Sequence, residues 1–218
     1  MRNALVSDFD GTITRRDFYL LIRETHMPAS APEYFERYRT GQLTHFEAMA
    51  SYFSHAPENE AALQELLDRS EPDPGFVDAA SILNAASWEL IIVSAGSSWY
   101  IERILRRLRV EAVVHSNRGQ IRKGHGLVIE RPAGTPFFSA EVGIDKSAVV
   151  RNALGRYDQV AFAGDGPPDV EPSLLVRPSF RFARGYLADE LRRRREPFRE
   201  FSCWSEIVRS LVRPKKRG

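Results

Sequence analysis

The sequence lacks several features that would place it outside the ordinary globular class. Its 218 residues contain one cysteine, Cys203, which excludes an intrachain disulfide and a cysteine-based zinc site. The longest purely aliphatic run, Leu90–Val93, is far shorter than the roughly 20 residues that span a bilayer, and the N-terminus has no signal-peptide pattern. A content of 43% hydrophobic and 28% charged residues excludes disorder. We therefore expect a cytoplasmic globular protein without a membrane segment.

The sequence also has little net charge, +2, but that charge is unevenly distributed. Residues 181–218 contain twelve Arg and Lys against five Asp and Glu, so residues 1–180 carry a net −5. The basic clusters Arg192–Arg195 and Arg213–Arg217 are of a kind that can contact nucleic-acid phosphates. No nucleic-acid-binding motif accompanies them, and a solvated helix face is the alternative for the first cluster.

Short apolar runs recur along the chain, separated by stretches with helical periodicity. These runs are Ala4–Asp10, Trp88–Ser94, Val110–His115 and Gln159–Asp165. Strands that alternate with helices predict an α/β fold with a mostly parallel, Rossmann-like sheet. Between the second and third runs, one helical stripe follows Ser98, a candidate N-cap; its members are Ile101, Ile104, Leu105 and Leu108.

Two segments depart from this alternation. Residues 15–73 contain helical stripes without a convincing strand, and Thr44 and Glu47 have the spacing of a capping box at one of them. Residues 117–138 are interrupted by glycines and predict a β-hairpin. We expect a core formed by residues 1–14 and 74–218, with residues 15–73 inserted into it as a helical lobe.

The sharpest local signal is Asp8-Phe9-Asp10-Gly11-Thr12, at the end of the first apolar run. Two carboxylates beyond the carboxyl end of a strand lie in the crevice where open α/β sheets bind ligands. Gly11 allows the chain to turn away sharply after them. An acidic turn that caps a helix is the alternative.

Three further motifs follow in order, each at the boundary of an expected strand or helix. They are Ser94-Ala95-Gly96, Lys146 within Ile144–Ser147, and Asp165 with Asp169 within Gly164–Asp169. With the first motif they resemble the four motifs of the haloacid dehalogenase (HAD) superfamily, whose members are mostly magnesium-dependent phosphatases. The resemblance implies hydrolysis of a small phosphorylated metabolite.

The resemblance also implies the catalytic roles. Asp8 is expected to attack phosphorus and form an aspartyl-phosphate. Asp10 is expected to protonate the leaving group and then to activate the water that hydrolyses the intermediate. Phosphate monoesters are anionic, so a cation must offset their repulsion of Asp8, and Lys146 is one candidate.

Metal and phosphate binding are implied in the same way. The expected Mg²⁺ ligands are the Asp8 carboxylate, the Asp10 carbonyl and the Asp165 carboxylate, with Asp169 in support. Ser94 and the N–H groups around Ala95 and Gly96 are expected to hold the transferring oxygens.

The expected helical insertion resembles the C1-type cap of phosphoserine phosphatases. These enzymes carry an acidic residue nine positions after the nucleophile, here Asp17, a candidate substrate contact; an acidic residue in a helix's first turn is the alternative. The patterns at Asp8–Thr14, Gly164–Glu171 and Phe182–Leu187 more closely resemble methionine-salvage phosphatases that act on a hydroxyketo-methylthiopentenyl phosphate. Pro167 and Pro168 and the long basic tail depart from that pattern.

Other side chains carry weaker signals. Five arginines are candidates to bind a second anionic group: Arg15, Arg16, Arg23, Arg37 and Arg39. Trp88, Trp99 and Tyr100 are expected to pack in the core or lid, and the five histidines have no metal-ligand spacing. A nucleic-acid-binding HAD-fold protein, or a polynucleotide-end phosphatase using the basic C-terminal segment, is the competing class. We favour a small-molecule phosphatase that is a monomer or homodimer.

Overall fold

A computed structural model describes residues 2–212 and contains strands that match the expected apolar runs. The strands are β1 (Asn3–Ser7), β2 (Trp88–Ser97), β3 (Val113–Arg122), β4 (Gly126–Glu130), β5 (Phe138–Ser139), β6 (Gly143–Ile144), β7 (Gln159–Gly164), β8 (Arg181–Ala183) and β9 (Arg199–Glu200). The predicted cluster Arg213–Arg217 lies outside the described residues.

β1 is the central strand of a sheet with the order β4-β3-β2-β1-β7-β8-β9. It runs parallel to both neighbours, with Ser7 opposite Ile92 of β2 and Ala163 of β7. Among the residues described, the single antiparallel pairing in this sheet joins β3 to β4. Since parallel neighbours end at one edge, the residues that follow β1, β2 and β7 lie side by side there.

Helices cover both faces of the sheet and form the insertion. They are α1 (Phe18–Thr25), α2 (Tyr34–Arg39), α3 (His45–Phe53), α4 (Glu60–Arg69), α5 (Phe76–Ala85), α6 (Ser98–Leu108), α7 (Lys146–Leu154), α8 (Val170–Leu174), α9 (Gly185–Arg194) and α10 (Trp204–Val212). None of the helices within residues 2–212 is both long and apolar enough to cross a membrane.

Side chains of β1 are buried alternately against two helical layers. Leu5 belongs to a cluster with Trp204 of α10, whereas Ala4 and Val6 belong to a second cluster with Val150 of α7. All three β1 side chains are inaccessible to solvent. Burial on both faces explains why these strands appear in the sequence as continuous apolar runs rather than as alternating patterns. The α/β fold with a mostly parallel sheet is confirmed.

Helices α1 to α4 form the insertion between β1 and α5. An isolated bridge pairs Thr14 with Pro72, so the chain leaves and re-enters the core at adjacent points. The predicted apolar stripes of α1, α3 and α4 pack into the same cluster as Leu5. Helix α2 has no buried residue, and for that reason it has no apolar stripe to reveal it in the sequence. The division into domains at residues 15–73 stays a prediction.

Several local predictions can be compared directly with the structure. β3 and β4 form the expected hairpin, and Thr44 and Glu47 form the expected capping box at α3. The N-cap assignment is wrong by one residue, because Ser97 Oγ accepts from Trp99 N at 3.3 Å and Ser98 is already helical.

Of two strand boundaries, one agrees with the prediction and one differs. β1 ends at Ser7, so the acidic pair lies beyond the end of the strand as expected. β3 begins at Val113 rather than Val110, because Arg109 ends α6 in a left-handed conformation (φ 55°) and the next residues lead back to the sheet.

Candidate active site

Asp8 occupies the first position after β1 and is 8% exposed. Its N–H donates to Ala163 O at 2.8 Å, which extends the strand ladder by one bond and fixes the side chain at the sheet edge. The chain then turns at Gly11 (φ +69°), where any Cβ would collide with the Asp165 carboxylate. Glycine is therefore required both by the left-handed backbone and by the close approach of Asp165.

Lys146 joins two of the carboxylates. It is the first residue of α7, which begins at the N-cap Asp145, and it is 4% exposed. Its Nζ lies 2.8 Å from Asp8 Oδ1 and 2.7 Å from Asp169 Oδ1. Burial alone would lower the pKa of Lys146, but Asp169 and Asp8 raise it above its usual range. The ammonium is therefore a permanent positive charge inside the site.

Asp169 is fully buried and has donors on both oxygens. Besides Lys146, it accepts from the N–H groups of Asp165 at 3.1 Å and Gly166 at 3.0 Å. A side chain at Gly164 would collide with the Asp169 carboxylate. Asp169 thus fixes the loop that carries Asp165, and its support of a metal site stays a prediction.

The three carboxylates suit a hard divalent cation. One oxygen each of Asp8, Asp165 and Asp169 can be chosen so that all lie within 4.8 Å of one another. Asp165 Oδ1 accepts from Thr12 Oγ1 at 2.5 Å, while residues 2–212 donate no hydrogen bond to Asp165 Oδ2 or Asp8 Oδ2. Burial and neighbouring Asp169 raise the pKa of Asp165 to about 6. Carboxylate oxygens without a protein hydrogen bond are ligands that Mg²⁺ prefers, so the residues fit this metal.

Asp10 is held by donors from three elements. Its Oδ1 accepts from Phe18 N at 3.0 Å, and its Oδ2 accepts from Ser94 Oγ at 3.4 Å and from the Tyr100 hydroxyl in a short hydrogen bond. Burial raises the pKa of Asp10, and the hydrogen bond from Tyr100 opposes that rise. Gly96 is also required here, since a Cβ would collide with the Tyr100 hydroxyl.

Two residues that contact the motif residues, Tyr100 and Arg184, were not identified from the sequence. Tyr100 is buried in the core as expected, yet its hydroxyl reaches Asp10. Arg184 donates to Gly11 O at 2.6 Å and Thr14 O at 3.1 Å, which fastens the loop after Asp8. The available signal for Tyr100 was its position in the first turn after the Ser94 motif, where helix residues lie near the strand ends.

A cavity of about 520 Å³ opens beside these groups. Its inner end is lined by the motif residues Asp8, Asp10, Ser94, Ala95, Gly96, Lys146 and Asp165. Its outer end is lined chiefly by aromatic and apolar residues, namely Tyr19, Phe35, Tyr38, Met49, Pro167, Pro168 and Tyr186, together with Asp17, Arg39, His45 and Gly166. Every residue assigned to the site from the sequence lines this cavity except Asp169, which lies behind it.

Asp17 lies in the cavity wall at the N-cap position of α1, so it is not in the helix's first turn. Its side chain makes no capping hydrogen bond, and Asp10 instead accepts from the Phe18 N–H. Burial, with Asp10 and Asp165 nearby, raises the pKa of Asp17 to about 7. Its contact with substrate stays a prediction.

One of the five candidate arginines, Arg39, lines the cavity. Its guanidinium forms an ion pair with Glu36 on the exposed surface of α2. Arg16 and Arg23 form ion pairs with other carboxylates, and neither reaches the cavity wall. Among the described residues, the wall therefore contains no unpaired cation that could bind a second anionic group on a substrate.

The basic cluster of α9 is largely neutralised by neighbours. Arg192, Arg193 and Arg194 each form an ion pair, with partners that include Glu190 of the same helix and Glu171 of α8. These pairs favour the solvated-face interpretation over a phosphate-binding surface.

Comparison with known proteins agrees with this geometry. The profile of the haloacid dehalogenase-like hydrolases matches residues 5–171. A 2-hydroxy-3-keto-5-methylthiopentenyl-1-phosphate phosphatase of Brevibacillus brevis is 24% identical, with 95% of this chain and 94% of the relative covered. A phosphatase of the same name from Bacillus cereus is 22% identical, with 94% and 93% covered.

Solved structures with the same fold include a substrate-bound phosphoserine phosphatase, with a TM-score of 0.68, 12% identity and coverage of 98% of this chain and 99% of that one. A HAD family hydrolase of Salmonella enterica serovar Typhi gives a TM-score of 0.72 at 16% identity, with 98% and 72% covered. At these identities the likeness is one of fold.

Proposed function

Because this chain belongs to the haloacid dehalogenase-like hydrolases, we propose that it is a phosphatase that hydrolyses a small phosphate monoester through Asp8, with Mg²⁺ as cofactor. The observation that carries the proposal is the inner end of the cavity. There a buried carboxylate, Asp8, lies 2.8 Å from a buried ammonium, Lys146, and beside a second carboxylate, Asp165. Such a grouping supplies both a nucleophile and the positive charge that attack on an anionic ester requires.

The residues that would hold the metal are Asp8, Asp165 and the backbone carbonyl of Asp10, with Asp169 fixing the Asp165 loop. When bound, Mg²⁺ supplies positive charge that offsets the repulsion between the phosphate and the nucleophilic carboxylate. Lys146 adds to that charge and orients the Asp8 carboxylate through its hydrogen-bonded Nζ.

In the first half-reaction an Asp8 oxygen forms a bond to phosphorus while the ester P–O bond breaks. The leaving oxygen takes a proton from Asp10, so the products are an aspartyl-phosphate and a neutral alcohol. In the second half-reaction the Asp10 carboxylate takes a proton from water, and the resulting hydroxide attacks phosphorus. Phosphate then leaves, which restores both the Asp8 carboxylate and the protonated Asp10.

Ser94 and the start of α6 would hold the phosphoryl oxygens during both steps. Ser94 Oγ is 3.0 Å from Gly96 N, so the side chain and the loop backbone form one unit at the end of β2. Hydroxyl and backbone N–H donors at such a position stabilise the charge that is redistributed in the transition state.

Residues 15–73 would act as a cap in this proposal. They form the outer wall of the cavity together with residues 166–168 and Tyr186, so they would contact the leaving group and exclude water from the aspartyl-phosphate. A cavity of about 520 Å³ is suited to a small metabolite. The curated relatives favour a methionine-salvage substrate, and phosphoserine is the second candidate because of the fold.

The Asp8→Asn variant tests the proposal, since it keeps the shape of the side chain and removes the nucleophile. We expect it to abolish release of p-nitrophenol from p-nitrophenyl phosphate in Mg²⁺, and we expect EDTA to abolish activity of the unsubstituted protein. Asp158→Asn is the matched control because Asp158 is exposed on the surface and its side chain accepts only from Arg2 N in the described structure. Undiminished turnover by Asp8→Asn would refute the mechanism.

A further inference from the structure

The outer end of the cavity contains a polar ring without a protein partner. His45 is the first residue of α3, is 9% exposed and lines the cavity. Its ring packs against Phe35, at a centroid distance of 5.4 Å, and edge-on against Tyr38 at 5.5 Å. His45 therefore presents a polar group within a mainly aromatic wall.

The position of His45 is fixed by the core rather than by the cap alone. Its backbone N–H donates to Glu141 Oε1 at 3.2 Å, and the next N–H, of Phe46, donates to Glu141 O at 2.9 Å. Arg131 lies over the Phe46 ring at 4.0 Å. The start of α3 is thus held against the segment between β4 and β6, so the His45 ring has a defined place in the wall.

The His45 ring makes no hydrogen bond to any residue between 2 and 212, and its Nδ1 is buried without a partner. Nδ1 is shielded from the cavity as well as from the protein, so a molecule in the cavity reaches the ring through Nε2, which also has no hydrogen bond from the described residues. By contrast, the cap's other histidine near this cluster, His55, bonds the Tyr34 hydroxyl at 2.9 Å and does not line the cavity.

The charge of the ring limits what it can bind. Burial, with a smaller contribution from Lys146, lowers the pKa of His45 to about 4, so the imidazole is uncharged at neutral pH. A neutral imidazole offers one donor and one acceptor, which suits a hydroxyl or carbonyl oxygen. The other ionisable wall groups at this end are Asp17, which offers no positive charge, and Arg39, which is paired with Glu36.

Resting on the proposed phosphatase activity, we propose that His45 sets specificity by hydrogen-bonding an uncharged hydroxyl or carbonyl oxygen of the leaving group. The substrate is then an oxygenated alkyl phosphate whose leaving group is otherwise apolar and carries no charge. The aromatic side chains contact its hydrocarbon part, and Lys146 and Asp8 lie at the phosphate end.

A matched pair of substrates tests this role. Hydroxyacetone phosphate and n-propyl phosphate have the same carbon chain and differ by one carbonyl oxygen. We expect His45→Phe to reduce the ratio of their kcat/KM values by about tenfold, the loss of one hydrogen bond between uncharged groups. His45→Gln, which keeps a donor and an acceptor, is expected to restore part of the ratio. His55→Phe is the control that adds the same ring to the cap and leaves the ratio unchanged.

The outcomes separate this inference from the phosphatase proposal. If the unsubstituted protein with Mg²⁺ hydrolyses neither these esters nor p-nitrophenyl phosphate, the phosphatase proposal is overturned and this inference with it. If it hydrolyses p-nitrophenyl phosphate but neither of the two esters, only this inference is overturned. If it hydrolyses both and the ratio is the same in His45→Phe, only the assignment of His45 is overturned. A higher kcat/KM for phosphoserine than for hydroxyacetone phosphate would overturn the proposal that the leaving group is uncharged.

A binding measurement keeps the test independent of whether His45→Phe folds. In the Asp8→Asn variant with the ring nitrogens of histidine labelled with ¹⁵N, hydroxyacetone phosphate is expected to shift the His45 resonances. The n-propyl ester is expected to leave them in place. Equal shifts with both esters would overturn the proposed hydrogen bond between His45 and the oxygen of the leaving group.

Discussion

The two ends of the cavity differ in how their polar groups are bonded. At the inner end Lys146 lies between two carboxylates, Asp169 accepts three hydrogen bonds, and Asp10 accepts from three donors. At the outer end the wall is aromatic, and the His45 ring has no hydrogen bond from the described residues.

This difference indicates a division of labour. In the proposed mechanism the groups that carry out chemistry hold one geometry through two half-reactions, which requires that protein contacts orient them before substrate arrives. Groups that select the substrate instead receive their hydrogen bond from the substrate itself. Such a site discriminates against an analogue that cannot form this hydrogen bond. If this division holds, substitutions at the inner end reduce catalysis, and substitution of His45 at the outer end changes selectivity and stability.

The largest effect is expected at the inner end, for Lys146→Met. The change removes the ammonium that offsets two buried carboxylates, and we expect kcat/KM to fall by about 100- to 1,000-fold. Phosphate release with hydroxyacetone phosphate measures the loss, and circular dichroism at the assay temperature tests whether the fold remains. Lys123→Met, at the exposed turn between β3 and β4, is the matched control. A change of less than about threefold at Lys146 would show that this charge is dispensable.

The second effect is expected at the outer end and concerns stability. An unfolded histidine titrates near pH 6.5, whereas the pKa of His45 in the folded protein is about 4. Between these values the unfolded state binds more protons, so the contribution of His45 to stability is lost as the pH falls from about 6.5 towards 4. Lys146, Asp169 and the Glu141 carboxylate are the charged groups nearest to this element.

The measurement is the free energy of urea unfolding at pH 7 and pH 5, for the unsubstituted protein and His45→Phe. We expect the unsubstituted protein to lose about 2 kcal/mol more than the variant over this interval. Comparing the two proteins cancels the titration of the carboxylates they share, and His55→Phe controls for the added phenyl ring. Equal losses would mean that His45 is solvated or already bonded, which would remove the distinction between the two ends.

The inner end was largely predictable from the sequence because its residues come in local motifs. Asp8 and Asp10 follow β1 directly, Ser94 lies in the β2 motif, and Lys146 opens α7. A parallel sheet with β1 at its centre brings such boundaries together whatever the intervening sequence contains. The start of β3 was predicted three residues too early, since an apolar run does not reveal where the chain turns.

The remaining contacts depend on pairs of residues that are distant in sequence and follow no motif. Tyr100 lies 90 positions from Asp10, and Arg184 lies 173 positions from Gly11. An aromatic residue in a helix or an arginine in a basic tail has many ordinary places in a fold, so its type alone does not indicate a partner. His45 was equally hidden, because its significance is a missing hydrogen bond that only the packed cavity reveals.

The smallest expected effect, for Tyr100→Phe, tests whether the bonds at the inner end act on chemistry or only on packing. The substitution keeps the ring that stacks on Phe18 at 4.3 Å and removes the hydroxyl that donates to Asp10. Since Tyr100 does not line the cavity, we expect kcat to fall by about tenfold with KM little changed.

Tyr157→Phe is the control for this prediction, because the Tyr157 hydroxyl also donates to a carboxylate, that of Glu89, at 2.8 Å but far from the cavity. If both variants lose stability and neither loses kcat, Tyr100 is a packing residue that happens to touch Asp10. If Tyr100→Phe alone loses kcat, orientation of Asp10 depends on the tyrosine. The inner end would then act through supporting residues that do not contact the substrate, whereas the outer end acts through His45, which does.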